Sequence, residues 1–292
     1  MSTSPKPPAP FKPLRGVRIL SLALNLPGPA ALMRLRALGA QCSKVEPPSG
    51  DPMGLYNRNA YETLHEGVKV FSADLRTEAG QRAVHKVLAR ADILLTSFRP
   101  SALRKLGMDW GTLRKRYPGL SQIDIVGAAG ARAEEPGHDL TYMAEHGLVQ
   151  GLDLPPSLFA DMGGSLAAVE AVMGALLHQR AKGKGVHREV ALGDAAAYLG
   201  LPQQWGMTTP GGAVGGGHAG YRIYACKDGR VAVAALEPHF ALSLCKAAGV
   251  SSVDRQTMLA PATHDTIARF LAAQTRKTLD ALAKDIPLFT LP

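Results

Sequence analysis

The sequence has 292 residues, 46% of them hydrophobic, and a formal net charge of +9 at pH 7, which is enough chain for one large domain or two moderate ones with a real core. Cys42, Cys226 and Cys245 lie far apart with no Cys-x-x-Cys spacing, which excludes a disulfide framework and a zinc site and fits a reducing cytoplasm. The longest apolar run, Leu166 to Leu177, is interrupted by Glu170 and is too short to span a bilayer, and no apolar signal segment precedes it, so no membrane role is expected. The basic residues are spread along the chain, aromatics are 5%, and no nucleic-acid motif appears, so nucleic acid is not the expected partner. An anionic ligand carrying several phosphates fits the charge equally well, and so does plain solubility.

Residues 1–13, rich in proline, read as a tail. Val17 to Leu22 reads as a buried strand, Ala30 to Leu38 as a helix ending at Gly39, and Ala40 to Val45 as a second strand. Val68 to Ala73, a helix over Ala79 to Arg90, a strand over Asp92 to Thr96, helices near Leu103 and over Trp110 to Arg116, and a strand over Leu120 to Val126 follow. Strands alternating with helices predict an α/β fold, a doubly wound and mainly parallel Rossmann-like sheet that binds ligands beyond the carboxyl ends of its strands. No Gly-x-Gly-x-x-Gly follows the first strand, which argues against a nicotinamide dinucleotide.

Gly137-His138-Asp139 precedes a helix expected over Leu140 to Gly147, with Asp139 as its cap and His138 just outside. Asp161 then precedes Gly163, Gly164 and Ser165, which are expected to open an apolar, buried helix over Leu166 to Arg180 that ends at Gly183. A carboxylate there either caps the helix or does chemistry at its positive end. The glycine-rich Gly211 to Gly217 is not a P-loop and reads as a linker or flap. A hairpin over Tyr221 to Leu236 turns at Asp228-Gly229, and Glu237 is pinned before Pro238. Helices over Ser251 to Leu282 complete a small α+β domain, giving a large domain over 14–200 and a linker plus small domain over 201–292.

Asp161-Met162-Gly163-Gly164, the helix after it, Gly183-Lys184-Gly185 and Val190 to Ala195 resemble the centre of the family III CoA-transferases. Gly16 to Leu22, Leu35 to Pro52 and Asp92 to Gly127 resemble that family's opening blocks, and the resemblance covers about residues 14 to 288. The segments GHDLTYMAEHGL, ADMGGS and ALEPHF together are most similar to the α-methylacyl-CoA racemases of the superfamily. The resemblance implies His138 and Asp161 as the two bases and Glu237 as support for the histidine. It implies Lys44, Lys69 and Arg99 as contacts to the CoA nucleotide. It also implies an acyl-CoA substrate, no cofactor beyond the CoA moiety, no metal, and a cytoplasmic homodimer, possibly with a longer homologous subunit. The reaction expected is racemisation of a 2-methylacyl-CoA through an enolate. The alternatives are CoA transfer through an aspartyl thioester at Asp161, or a non-catalytic CoA-binding subunit. The chain departs from the family at Val126 to Gly130, where a Ser-Gly-aromatic-Gly turn is usual, and the family's returning segment is expected to be absent after the small domain.

Overall fold

A computed structural model describes residues 11–292; of the expected tail, residues 1–10 lie outside the described residues. The backbone divides into two compact units, one running to Gly200 and the other over Leu201–Pro292.

The first unit runs β1 (Arg18–Ser21), α1 (Pro27–Ala37), β2 (Gln41–Glu46), α2 (Met53–Tyr56), α3 (Arg58–His65), β3 (Lys69–Ser72), α4 (Glu78–Leu88) and β4 (Ile93–Thr96). It continues with α5 (Pro100–Lys105), α6 (Trp110–Arg116), β5 (Ser121–Val126), α7 (Asp139–Glu145), α8 (Phe159–Lys182) and β6 (His187–Ala191), and α9 (Leu192–Gln204) carries the chain on into the second unit. The six strands form one parallel sheet in the order β3-β2-β1-β4-β5-β6. This is the doubly wound sheet the alternating pattern predicts.

Helices cover both faces, so the inner strands are apolar on both sides. Ile19, Ile93 and Leu95 face α1 and α8, packing on Leu32, Leu35, Val172 and Leu176. Leu20 and Leu94 face the other way, onto Val84 and Leu88 of α4, Leu103 of α5 and Leu113 of α6.

Helix α8 differs from expectation at its start. It begins at Phe159, so Asp161 lies within the first turn and Gly163 and Gly164 lie inside the helix. The reason is packing: a Cβ on Gly164 would collide with the side chain of Leu192 on α9. The two helices approach too closely there for a side chain. Ser165 is buried, and its hydroxyl donates to the Met162 carbonyl (2.7 Å) rather than capping anything. At 24 residues, α8 is long and apolar enough to cross a membrane by length and composition. Here it serves as a core helix, with Ala168, Val172, Ala175 and Leu176 buried.

The second unit holds β7 (Tyr221–Cys226), β8 (Gly229–Ala234), α10 (Pro238–Ala248), α11 (Arg255–Leu259), α12 (Pro261–Ala272), α13 (Arg276–Asp280) and β9 (Leu288–Leu291). Its strands form an antiparallel sheet, β7-β8-β9, over a core that includes Tyr224, Val231, Leu244, Ile267 and Leu271. The glycine-rich segment is tied down: the Nε2 of His264 on α12 lies 3.0 Å from the Gly217 carbonyl oxygen.

Candidate active site

The strand order of the first unit reverses between β1 and β4, and an open α/β sheet leaves a crevice at the carboxyl edge of such a point. A cavity of about 520 Å3 lies there. Leu24 to Pro27 after β1, Ser97 to Arg99 after β4 and Val126 and Gly127 at the end of β5 line it. His138, Asp139, Tyr142 and Asp161 line it as well. The structure therefore brings His138, Asp161 and Arg99 to one cavity.

His138 occupies the N-cap position of α7, the place expected of Asp139. The cap is made by Thr141: its hydroxyl accepts the His138 N–H (3.1 Å) and donates to the His138 carbonyl (2.7 Å). The imidazole is thus left exposed at the cavity. Asp139, the first residue of α7, is buried, and its Oδ1 accepts the backbone N–H of Asp161 (2.9 Å). That N–H is one of the unpaired donors at the start of α8. One carboxylate therefore fixes the backbone that carries the other.

Asp161 is half-buried, and its carboxyl is pushed up to about 6. Burial is the main cause, the neighbouring Asp139 carboxylate adds to it, and His138 partly opposes it. A group titrating near neutrality exchanges protons readily in both directions.

Tyr142 is a site residue that spacing does not reveal, because an aromatic one turn into a helix reads as core. Its ring rests against Gly127 and Gly137; a Cβ on Gly137 would lie 2.6 Å from the phenol oxygen, and one on Gly127 would overlap it. The phenol is raised above its ordinary range, mostly by burial and also by Asp161, with Arg99 opposing.

Three expected residues lie elsewhere. Lys44 does not line the cavity. Its side chain is fully buried, and its ammonium is held by Asp51, by Glu46 (3.1 Å) and by the Nε2 of His65 (2.8 Å). Three N–H donors meet three acceptors, which leaves none for a phosphate. Lys69 is exposed but is the first residue of the edge strand β3, at the amino end of the sheet and away from its binding edge. Glu237 belongs to the second unit, exposed at the N-cap position of α10, and its tie to His138 stays an implication of the resemblance. Glu46, Asp51 and His65 have the donor atoms of a metal site, within 4.8 Å of one another, but the Lys44 ammonium sits among them as the resident cation.

A family model for CoA-transferase family III matches residues 14–289. The chain belongs to CoA-transferase family III. Among the relatives in the family, a probable fatty acyl-CoA transferase of Mycobacterium tuberculosis is 32% identical over 212 residues, 65% of this chain and 53% of that protein. An alpha-methylacyl-CoA racemase of Mus musculus is 29% identical over 270 residues, 85% of this chain and 68% of that protein. The match spans about half the length of several transferases of the family. Among solved structures, a CAIB/BAIF family protein from Brucella suis superposes with a TM-score of 0.78 at 25% identity, over 97% of this chain and 84% of that one.

Proposed function

We propose that this family III chain acts on acyl-CoA thioesters by moving the α-proton, racemising 2-methylacyl-CoA. The observation that carries this reading is the shared cavity of His138 and Asp161, with the Asp161 carboxyl raised to about 6. The α-proton of a thioester is weakly acidic, so its removal needs a positioned base and a stabilised enolate. Inversion needs a base on each face of that planar enolate. Ionised Asp161 takes the proton from one face and becomes the carboxylic acid. Protonated His138 delivers a proton to the other face and becomes neutral imidazole. The reverse turnover exchanges the two roles. The Tyr142 phenol lines the same cavity and is suited to donate to the enolate oxygen. Arg99, exposed at the rim, is the one expected nucleotide contact that suits an anionic ligand there.

The names of several relatives favour a second reading, CoA transfer. Ionised Asp161 would then attack the acyl carbonyl and expel the CoA thiolate, leaving a mixed anhydride. The thiolate would attack the aspartyl carbonyl, release the first acid and leave CoA on Asp161. Hydroxylamine separates the two. Racemase turnover leaves Asp161 unmodified in the presence of acyl-CoA. A hydroxamate at Asp161, found by peptide mass spectrometry, would replace the first reading with the second.

A further inference from the structure

The cluster around Lys44 is built of charges taken out of water. The side chains of Lys44 and Asp51 are both fully buried, and Glu46 is nearly so. The Nδ1 of His65 lies 2.6 Å from the Tyr61 carbonyl and carries its hydrogen there, which turns the Nε2 lone pair toward the ammonium. Tyr61 donates its hydroxyl to Glu46 (2.9 Å). Such a cluster is weak evidence for stability, because apolar side chains of the same volume often hold a fold as well. It does serve to fix one geometry.

What it fixes is visible at Asp51. Besides meeting Lys44, the Asp51 carboxylate accepts the Met53 N–H (2.9 Å) and, with both oxygens, the Asn25 N–H (3.1 and 3.2 Å). Asn25 has a φ of +62°, the one non-glycine residue with a positive φ among the described residues. Asparagine tolerates this left-handed conformation better than most residues, but at a cost, and strained residues that persist are held by their surroundings. Asn25 is exposed, and with Leu24, Leu26 and Pro27 it forms a wall of the cavity that holds His138 and Asp161. The other anchor of this wall is the Leu24 N–H, which donates to the Ser97 hydroxyl (3.2 Å).

We propose that Asp51, itself held by Lys44, is a positioning residue: it locks Asn25 in the left-handed conformation and so sets the Leu24–Pro27 wall against which the thioester is seated. The effect on turnover rests on the proposed function; the effect on the wall does not.

The test uses three variants of the full chain: Asp51→Asn, Asn25→Gly, and the two combined. One amide oxygen cannot serve Lys44, Met53 and Asn25 together, so Asp51→Asn should loosen the wall while keeping most of the cluster. Hydrogen exchange by mass spectrometry on a peptide spanning Leu22 to Gly28 should show at least tenfold faster exchange in Asp51→Asn. Deuterium uptake at the α-carbon of 2-methylbutanoyl-CoA should fall at least tenfold in kcat/KM. Combining it with Asn25→Gly should recover part of that loss, because glycine holds a positive φ without a carboxylate. A purely structural role would lower Tm and show no such recovery. Unchanged protection of the peptide overturns the proposal, and so does lost protection with unchanged kcat/KM. If the unaltered protein does not catalyse uptake at all, the proposed function fails. The positioning claim is then decided by the peptide exchange and by the calorimetric Kd for 2-methylbutanoyl-CoA, which must weaken in Asp51→Asn and partly recover in the double variant.

Discussion

Asp161 lies under opposing influences. The start of α8 favours its ionised form, while burial and the Asp139 carboxylate disfavour it, and the second pair prevails. The carboxyl titrates at about 6 in the fold against about 3.9 in the unfolded chain. The fold therefore binds this proton more tightly, so the penalty is absent below about pH 4 and complete above about pH 6. Discounted for partial exposure, it is about 1–2 kcal/mol at neutral pH. Asp161→Asn should abolish α-proton exchange, yet raise Tm at pH 7.5 and leave Tm at pH 4 nearly unchanged. A lower Tm at pH 7.5 would contradict this account of the site. Exchange by the unaltered protein should also decline as pH falls through about 6, as the base is protonated. Gly127→Ala should drive the new methyl into the Tyr142 hydroxyl, costing about 1–3 kcal/mol in a urea titration and at least tenfold in kcat/KM. At this scale His138 and Asp161 were legible as candidates, because short segments in a set order carry them, and the fold brings both to one cavity. Lys44 misled, because a lysine near a strand end reads as a phosphate contact. Two of its three partners, Asp51 and His65, lie 7 and 21 residues further on and are brought to it only by the fold.

Elements were legible wherever burial leaves a repeating mark. The inner strands are short apolar runs because helices cover both faces of the sheet, and the helix expected over Trp110–Arg116 is there, capped by the Asp109 carboxylate. The start of α8 was misplaced because glycines read as an opening, whereas Gly164 answers to the proximity of Leu192. Helix α3 went unseen because its buried residues, Leu64 and His65, come only at its end. The edge strand β6 carries an ion pair with its own pH signature. His187 Nε2 lies 2.7 Å from Asp124 Oδ2, a bond that raises the imidazole above its ordinary value against the opposing effect of burial. A raised histidine stabilises the fold fully below the unfolded value, about 6.5, and that stability is lost as pH rises through the higher folded value. Asp124→Asn should therefore lower Tm most at pH 6 and less at pH 9. A deficit independent of pH would show that the ion pair contributes nothing beyond a neutral hydrogen bond.

In the first unit as a whole, the site follows from topology. Strand order places the loops after β1 and β4 side by side, and the long connection from β5 through α7 to α8 brings in both titratable groups. The parallel sheet was legible from the alternation of strands and helices. The crevice was legible only as a general consequence of such sheets, because no local pattern marks where strand order reverses. The most direct measurement is α-proton exchange. The unaltered protein, His138→Ala and Asp161→Ala are each incubated with a 2-methylacyl-CoA in D2O, and the α-hydrogen is followed by NMR. Deuterium uptake by the unaltered protein, lost in both variants, is the predicted result. No uptake from a thioester shown to bind, or uptake that survives both substitutions, would contradict the assignment of His138 and Asp161 as the two bases.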